Sequence, residues 1–257
     1  MDKLKDYGIK VLDKAFNLLS YFYEKEELSL KELVELSGLN RSTVYRIMQA
    51  FQKWGFVLQH PDNKKYRLSL KIVEMAGNVL RKMNLINICR PYLLELRDRT
   101  GESSFLSILR EMNILIIDWE PSYYDVHINV TVGKAVPAYC SGAGKAILAF
   151  LAEKDLEELL SKHPLKRYTE NTITDKEMLL KVLEETRARG YGLSSGEYDR
   201  DIVVAGAPIF DIHNRVIASC AIGALKSRVR DEKQMHEYGK LVKEAASQIS
   251  KQLGAQH

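Results

Sequence analysis

One short segment, LNRSTVYRIMQAFQKWGFV at residues 39–57, carries side chains that can recognise nucleic acid. Apolar Val44, Ile47 and Met48 recur at helical spacing, so they define the buried side of one helix. On the other side, arginine can pair with guanine, glutamine can pair with adenine, and hydroxyl groups can hold phosphates. The chemistry expected is hydrogen bonding to DNA, and the candidate contacts are Asn40, Arg41, Ser42, Thr43, Tyr45, Arg46 and Gln49.

A basic hairpin is expected directly after this helix. Residues 56–59 and 66–68 are strand-like, and the polar residues 61–64 between them predict a tight turn. The cations near that turn are Lys64, Lys65 and Arg67. They would lie beside the phosphate backbone while the helix enters the major groove.

The charge distribution agrees with a polyanionic partner. Residues 1–84 contain 15 Lys and Arg against 10 Asp and Glu, whereas residues 85–257 contain 23 against 24. The positive charge therefore belongs to the segment that carries the candidate contacts. Because Lys-rich solvated faces are common, charge alone does not identify nucleic acid.

The candidate recognition helix needs neighbouring elements to hold it. Residues 9–24 have the apolar periodicity of an amphipathic helix. Ser29 and Glu32 predict a capping box at the start of a second helix, Gly38 supplies a positive φ for a sharp turn, and Asn40 caps the third helix. Helices joined in this way and followed by a hairpin predict a winged helix-turn-helix. A winged-helix module that binds protein is the alternative.

The remaining chain predicts a linker helix and an α+β domain. Residues 69–84 have a broad apolar face that would pack on a second copy or on their own chain. Beyond them, strands and helices mix without strict alternation, which is typical of a largely antiparallel sheet. Strands are predicted at 103–109, 113–120, 126–132, 201–211 and 215–225, and helices at 88–101, 175–192 and 228–253, with two more between 136 and 160. We expect a DNA-binding domain at 1–70, a linker helix at 71–86 and a further domain at 87–257.

The motif CSGAGKA at residues 140–146 resembles part of a phosphate-binding loop but lacks two of its defining residues. GxxxxGK[ST] requires glycine and serine or threonine at positions where this chain has Tyr139 and Ala146. Two interpretations remain open. Backbone amides at a helix N-terminus would suit a carboxylate, whereas close helix–sheet packing would also require small residues.

Catalysis is the alternative use of the second domain. Glu197, Asp199 and Asp201 could do acid–base work, and Cys140 or Cys220 could be a nucleophile. No histidine or metal-ligand spacing accompanies the carboxylates, so the rim of a binding pocket is favoured. An unpaired cysteine is more often a buried apolar residue. Three widely spaced cysteines without CxxC predict neither a disulfide framework nor a zinc site, and we expect no metal and no cofactor.

No membrane or secretion signal is expected. The chain has no run of 18 apolar residues, and MDKLKDYGIKVLDK at its start lacks the apolar region of a signal peptide. With the cysteine usage, this predicts a cytoplasmic protein.

In the order of its motifs, the chain resembles the IclR family of bacterial transcriptional regulators over nearly its whole length. The N-terminal similarity lies in KAFNLLSYF, LSLKELVELSGLNRSTVYRIMQAFQKWGFV and KYRLSLKIVEMA, and the C-terminal similarity lies in GKAVPAYCSGAGKAILA, RGYGLSSGEYDRDIVVAGAPIFD and VIASCAIGA. The resemblance implies a winged helix-turn-helix, a linker helix and an α+β effector-binding domain similar to GAF and profilin-type sheets. It also implies homodimers or homotetramers on double-stranded operator DNA, with organic acids, sugar acids or aromatic compounds as effectors.

The resemblance further implies an effector site between the sheet and the helix that SGAGKA opens. Backbone amides of Gly142 and Ala143 would donate to the ligand. Members that bind small acids carry a carboxylate and serines where this chain has Ser194, Ala221 and Gly223, so we expect a larger ligand to use the space left there. The candidate effector-binding residues are Val126, Ile128, Gly142, Ala143, Ser194, Val204, Ala221 and Gly223.

The sequence thus predicts a ligand-responsive transcription factor that is not an enzyme. The alternative is an enzyme acting through Cys140 or the cluster of Glu197, Asp199 and Asp201, with an accessory winged helix.

Overall fold

The computed structural model describes residues 10–23, 25–75 and 85–255. The chain forms two compact units, Met1–Met83 and Asn84–His257. This division separates the candidate DNA-contacting segments from the candidate effector-binding segments.

The described residues of the N-terminal unit form three helices between residues 10 and 53, a two-stranded hairpin and the start of a further helix at 71–75. Ser29 Oγ accepts a hydrogen bond from the amide of Glu32 at 3.3 Å, and Glu32 Oε2 accepts one from the amide of Ser29 at 2.9 Å, so the predicted capping box is confirmed. Gly38 has a φ of 65°, the left-handed conformation predicted for the turn. The elements are α1 (Lys10–Ser20), α2 (Leu30–Ser37), α3 (Arg41–Lys53), β1 (Val57–Gln59) and β2 (Tyr66–Leu68), with a 3₁₀ turn at Tyr21–Tyr23.

The hairpin is joined to the helices through the segment before α2. The amide of Leu28 donates to the carbonyl oxygen of Tyr66 at 2.9 Å, and the amide of Tyr66 donates back at 2.7 Å. Both side chains are buried in a core with Leu18, Leu33 and Met48. Because Met48 belongs to α3, this core holds α3 by its apolar side.

The two ends of the predicted linker helix, 71–86, lie among the described residues. Residues 71–75 are helical, and Val73 and Met75 are exposed there. Residues 76–84 of this prediction lie outside the described residues, and residues 85 and 86 begin the first helix of the C-terminal unit.

The C-terminal unit is built on a six-stranded antiparallel sheet in the order β5-β4-β3-β8-β7-β6. This sheet and its helices confirm the predicted α+β class. None of the described helices is long and apolar enough to cross a membrane. The strands are β3 (Ser103–Arg110), β4 (Asn113–Glu120), β5 (Ala135–Pro137), β6 (Gly192–Ser195), β7 (Ile202–Phe210) and β8 (Val216–Leu225). The helices are α4 (Leu85–Thr100), α5 (Gly142–Leu148), α6 (Glu153–Lys162), α7 (Lys176–Arg189) and α8 (Glu232–Gln252).

Helices cover both faces of this sheet. α8 packs on one face, where the thiol of Cys220 on β8 lies 3.5 Å from the carbonyl oxygen of Val242. α5 packs on the other face so closely that a Cβ on Gly206 of β7 would lie 2.5 Å from Cα of Ala143. Small residues on both elements make this approach possible.

Residues 126–132 do not form the predicted strand. They belong to an irregular segment, 121–134, in which Ile128 and Val130 are buried. Apolar and polar residues alternate here because the side chains of Ile128 and Val130 pack over the sheet while their neighbours face outward. The sequence also does not predict the short strands β5 and β6, since each has only three or four residues and includes proline or glycine.

Candidate functional site

The polar side of α3 is exposed. On the opposite side, Val44, Ile47 and Met48 are buried against α1, α2 and the hairpin. Thr43 is half-buried at the edge of the polar side. Five predicted DNA contacts project outward, where their donors and acceptors can meet base edges and phosphates: Arg41, Ser42, Tyr45, Arg46 and Gln49.

The first turn of α3 is fixed by its own hydrogen bonds. Asn40 Oδ1 accepts from the amide of Thr43 at 2.8 Å and from the hydroxyl of Ser42 at 2.9 Å. Asn40 therefore orients the start of the helix, as an N-cap does. Within the described part of the chain, Arg41 and Arg46 form no ion pair, so their guanidinium groups are available to a partner.

The tip of the hairpin presents cations on a tight turn. Lys64 has a φ of 55°, its Nζ donates to the carbonyl oxygen of Pro61 at 2.6 Å, and its own carbonyl oxygen accepts from Gln59 Nε2 at 2.9 Å. Lys64 and Arg67 are exposed, and Lys65 is half-buried. This arrangement suits contacts with a phosphate backbone, which depend on charge and not on base sequence.

The C-terminal unit contains a cavity of about 90 Å³. Its walls come from strands β3 to β7, the irregular segment 121–134, the two residues before α5 and the loop after β6. The apolar lining residues are Phe105, Ile114, Ile116, Ile128, Val130, Val136, Ile202 and Val204. The polar lining residues are Asn129, Lys134, Cys140, Ser141, Ser194, Glu197, Tyr198 and Asp199.

Three of the eight residues predicted to bind an effector line this cavity: Ile128, Ser194 and Val204. The other five do not. Val126 is exposed in the irregular segment, and Ala221 is fully buried in the core. The remaining three residues, Gly142, Ala143 and Gly223, have packing roles.

Gly142 does not offer a free amide. Its N–H donates to Ser194 Oγ at 3.0 Å, so the predicted donor to a ligand is already used within the protein. A Cβ at Gly142 would overlap the carbonyl oxygen of Val204. The glycine therefore permits α5 to lie directly against β7, which is the packing interpretation of CSGAGKA.

The predicted space beside Gly223 is not empty. The side chain of Ile128 fills it, and Phe105 lies next to it. Ile128 therefore occupies the room that the sequence suggests for a larger ligand, because the segment 121–134 folds over the sheet instead of extending it. Ala143 is likewise buried, and it faces Gly206 of β7.

A buried ion pair, not predicted from the sequence, supports the cavity wall. Lys145 Nζ lies 2.6 and 2.7 Å from the two carboxylate oxygens of Glu197, and it also donates to the carbonyl oxygen of Leu193 at 3.1 Å. Thr172 Oγ1 donates to the carbonyl oxygen of Glu197 at 2.6 Å, which holds the loop after β6. The sequence shows a lysine in GKA and a glutamate in SSGE. It contains no local signal that these two residues, 52 positions apart, form a pair.

Burial shifts the pKa of both side chains in this pair. Removal from water raises the pKa of the Glu197 carboxyl, and the Lys145 ammonium opposes that rise. Burial lowers the pKa of Lys145, and Glu197 opposes that change. Because the ammonium donates two short hydrogen bonds to the carboxylate and a third to the carbonyl oxygen of Leu193, we assign the pair as ionised.

The residues of the alternative enzyme interpretation are not arranged for catalysis. Burial raises the pKa of the Cys140 thiol to about 12, so the thiolate that would act as nucleophile is not formed near neutral pH. Burial also raises the pKa of Cys220. Glu197 is engaged by Lys145, and Asp199 Oδ1 accepts from the amide of Asp201 at 3.0 Å. Among the residues that the structure describes, no group of three metal-binding side chains occurs.

Both units match family models. The model described as the IclR helix-turn-helix domain matches residues 11–61, and the model described as the bacterial transcriptional regulator IclR C-terminal domain matches residues 77–251. Together they include α3 and every residue that lines the cavity.

Individual relatives cover almost the whole chain. The HTH-type transcriptional regulator KdgR of Escherichia coli is 33% identical over 254 residues, which cover 99% of this chain and 96% of that protein. The crystal structure of IclR from Thermotoga maritima is 33% identical, has a TM-score of 0.76, and covers 96% of this chain and 99% of its own. An IclR homolog from Microbacterium hydrocarbonoxydans, complexed with 4-hydroxybenzoate, is 22% identical with a TM-score of 0.82 over 95% and 98% of the two chains, which shows a shared fold.

Proposed function

The chain belongs to the IclR family of bacterial transcriptional regulators, and from that premise we propose that a small molecule in the C-terminal cavity controls its binding to operator DNA. α3 reads the bases, and the β1–β2 wing contacts phosphates. The family consists of regulators, so the chain is a regulator and not an enzyme. We place its action in the cytoplasm, with the chromosome.

The observation that carries this proposal is the two-sided character of α3. Its apolar residues are buried and its arginines and Gln49 project outward from a helix whose first turn is fixed by Asn40. A helix that enters the major groove needs this arrangement, because its side chains must meet base edges without losing the core behind them. Lys64, Lys65 and Arg67 on the wing then set the position of the duplex.

The regulatory part of the proposal rests on the cavity. A recessed, mostly apolar space with a few hydroxyl and charged groups is the usual form of a small-molecule site. A structural neighbour from the same family is complexed with 4-hydroxybenzoate. Of the three effector classes expected from the sequence, the apolar lining favours aromatic or similarly apolar compounds over sugar acids.

We further propose that the protein acts as a homodimer, with a homotetramer as a larger assembly. Val11, Phe16 and Trp54 are exposed apolar residues along a groove between α1 and α3. Contiguous exposed apolar residues mark association surfaces in soluble proteins. A two-fold dimer would present two copies of α3 to two half-sites of an operator.

Selection of bound DNA from a random duplex library tests the proposal. We expect the purified full chain to enrich a consensus with two inverted half-sites, because two copies of α3 contact it. If repeated selection yields no consensus, the protein binds DNA by charge alone, and α3 does not recognise base sequence.

A further inference from the structure

Gln49 occupies the middle of the exposed side of α3. By helical spacing it lies two turns after Ser42 on the same line, and it faces away from Ile47 and Phe51, which pack in the core of the N-terminal unit. Ser42 and Gln49 are both exposed. When α3 enters the major groove with this side, Gln49 therefore points at the base edges.

A hydrogen bond within the helix holds the amide group of Gln49. Its Nε2 donates to Oε1 of Gln52, one turn further on, at 2.9 Å. Gln52 is half-buried and lies one turn after the fully buried Met48, so its side chain is at the edge of the apolar side and has less rotamer freedom than an exposed one. Gln49 makes no further side-chain hydrogen bond within the part of the chain that the structure describes. Its Oε1 and its second N–H are therefore left for a partner.

These two groups of Gln49 match adenine and not guanine. In the major groove adenine presents an acceptor, N7, beside a donor, the N6 amino group, so the N–H and Oε1 of Gln49 can bond to both. Guanine presents two acceptors, N7 and O6. To donate to both of them, Gln49 would have to break its bond to Gln52. The intact bond thus favours adenine.

Asn40 orients Ser42 in a similar way at the start of the helix. Asn40 Oδ1 is identified as an acceptor, because the amide of Thr43 donates to it at 2.8 Å. The hydroxyl of Ser42, 2.9 Å from the same oxygen, must then be a donor to it, and the Ser42 oxygen is left as an acceptor on the exposed side. Residues beside the contact positions therefore fix the direction of hydrogen bonds on this side of α3.

We propose that Gln52 is a positioning residue for base recognition: it holds the amide of Gln49 in the orientation that pairs with adenine, and so sets a preference for adenine over guanine at one position of each half-site. This inference rests on the proposed reading of bases by α3. It adds a residue that is not among the expected DNA contacts, since Gln52 acts through Gln49 and does not itself need to touch the DNA.

Single-position variants of the selected operator test the proposal. The probes are the consensus duplex obtained from the random library and the same duplex with guanine in place of adenine at one position at a time. Gln49→Ala identifies the base pair that Gln49 reads, because the preference is lost there. At that base pair we expect the wild-type chain to prefer adenine about tenfold in fluorescence anisotropy at fixed salt. Gln52→Met, which keeps the length of the side chain but removes the acceptor, should reduce this preference by about fivefold.

Gln52→Glu and Asn17→Ala are the controls. Gln52→Glu keeps an acceptor for the Gln49 amide, so the preference should stay within about twofold of wild type, although the added negative charge weakens binding to every duplex. Asn17→Ala removes an exposed side-chain hydrogen bond of α1, from Nδ2 to the hydroxyl of Tyr21 at 3.1 Å, and should leave the preference unchanged. In the Gln49→Ala background, Gln52→Met should have no effect on the preference.

The positioning role is overturned if Gln52→Met keeps the adenine preference, or if it lowers the affinity for both duplexes equally, which is the result of a purely structural role. It is also overturned if Gln52→Glu loses the preference as fully as Gln52→Met, or if Gln49→Ala changes no position of the consensus. A consensus that still responds to Arg41→Ala or Arg46→Ala would in that case leave base reading by α3 intact. If selection yields no consensus, base reading by α3 fails as well.

Discussion

α3 and α5 each follow a short polar residue, but the two helices use it in opposite ways. Asn40 caps α3 through its side chain, and α3 then turns a row of polar side chains outward. Ser141 makes no capping bond, and all seven residues of α5 are buried. The first helix leaves its polar side chains exposed, whereas the second is enclosed by the protein and packs against the sheet beside the cavity.

This difference explains why the exposed side of α3 is easier to predict from the sequence than the cavity beside α5. The exposed side of α3 depends on periodicity within 13 residues and on a cap beside them. The cavity beside α5 depends on strands, a loop and an ion pair that are far apart in the chain. Variants of α5 should therefore change stability, and variants on the exposed side of α3 should change DNA binding.

The largest effect is expected at the ion pair between Lys145 of α5 and Glu197. Lys145→Met would leave the Glu197 carboxylate buried without its partner, so the free energy of unfolding should fall by about 3–5 kcal/mol. Urea denaturation followed by the fluorescence of Trp119, in a Trp54→Phe background, measures this in the C-terminal unit.

The matched control for Lys145→Met removes both charges. Lys145→Met combined with Glu197→Leu should recover most of the lost stability, since no unpaired charge is left. If the double variant is as unstable as Lys145→Met alone, packing by the lysine side chain and not the charge pair supports α5.

A smaller loss is expected from overfilling the contact between α5 and β7. Ala143→Leu would force bulk against Gly206, so we expect the free energy of unfolding to fall by about 3 kcal/mol in the same assay. Ala135→Leu on the exposed edge strand β5 is the control and should change stability by less than about 0.5 kcal/mol. An unchanged stability of Ala143→Leu would mean that α5 has room to move and that the cavity can enlarge.

On α3, the effect should be on binding and not on folding. Arg41→Ala and Arg46→Ala should each cost about 1–3 kcal/mol of operator affinity if the arginine pairs with a base. Repeating the DNA selection with each variant should show relaxed preference at one position of each half-site. Normal affinity and an unchanged consensus for both variants would place the base contacts elsewhere.

The wing should give the smallest effect. Lys64→Ala and Lys65→Ala should weaken binding to all duplexes and should reduce the slope of log affinity against log salt by about 0.9 each. Lys31→Ala is a suitable control, because Lys31 is an exposed lysine of α2 paired with Glu35. If the salt slope does not change in these variants, the wing does not contact the DNA.

The sequence was sufficient for features that depend on neighbouring residues. The capping box of Ser29 and Glu32, the turn at Gly38 and the cap at Asn40 are all formed as predicted, since each involves partners three residues apart or a single φ angle. The antiparallel α+β class was also predictable from the order of strands and helices.

Features that depend on distant partners could not be derived in this way. The alternation at Ile128 and Val130 predicts a strand, but it reflects packing over the sheet. The amide of Gly142 is predicted to be free, but Ser194 reaches it from 52 residues away. Only the assembled fold brings Ser141, Ser194 and Glu197 to one cavity.

The most direct test of the central claim is the ratio of operator affinity to affinity for a random duplex of the same length. The measurement uses fluorescence anisotropy at fixed salt for the wild-type chain, for Arg41→Ala with Gln49→Ala, and for Lys64→Ala with Lys65→Ala. If α3 reads the bases and the wing contacts phosphates, the α3 variant loses most of this ratio. The wing variant weakens both affinities and keeps the ratio. A wild-type ratio in the α3 variant would contradict the assignment of sequence recognition to α3.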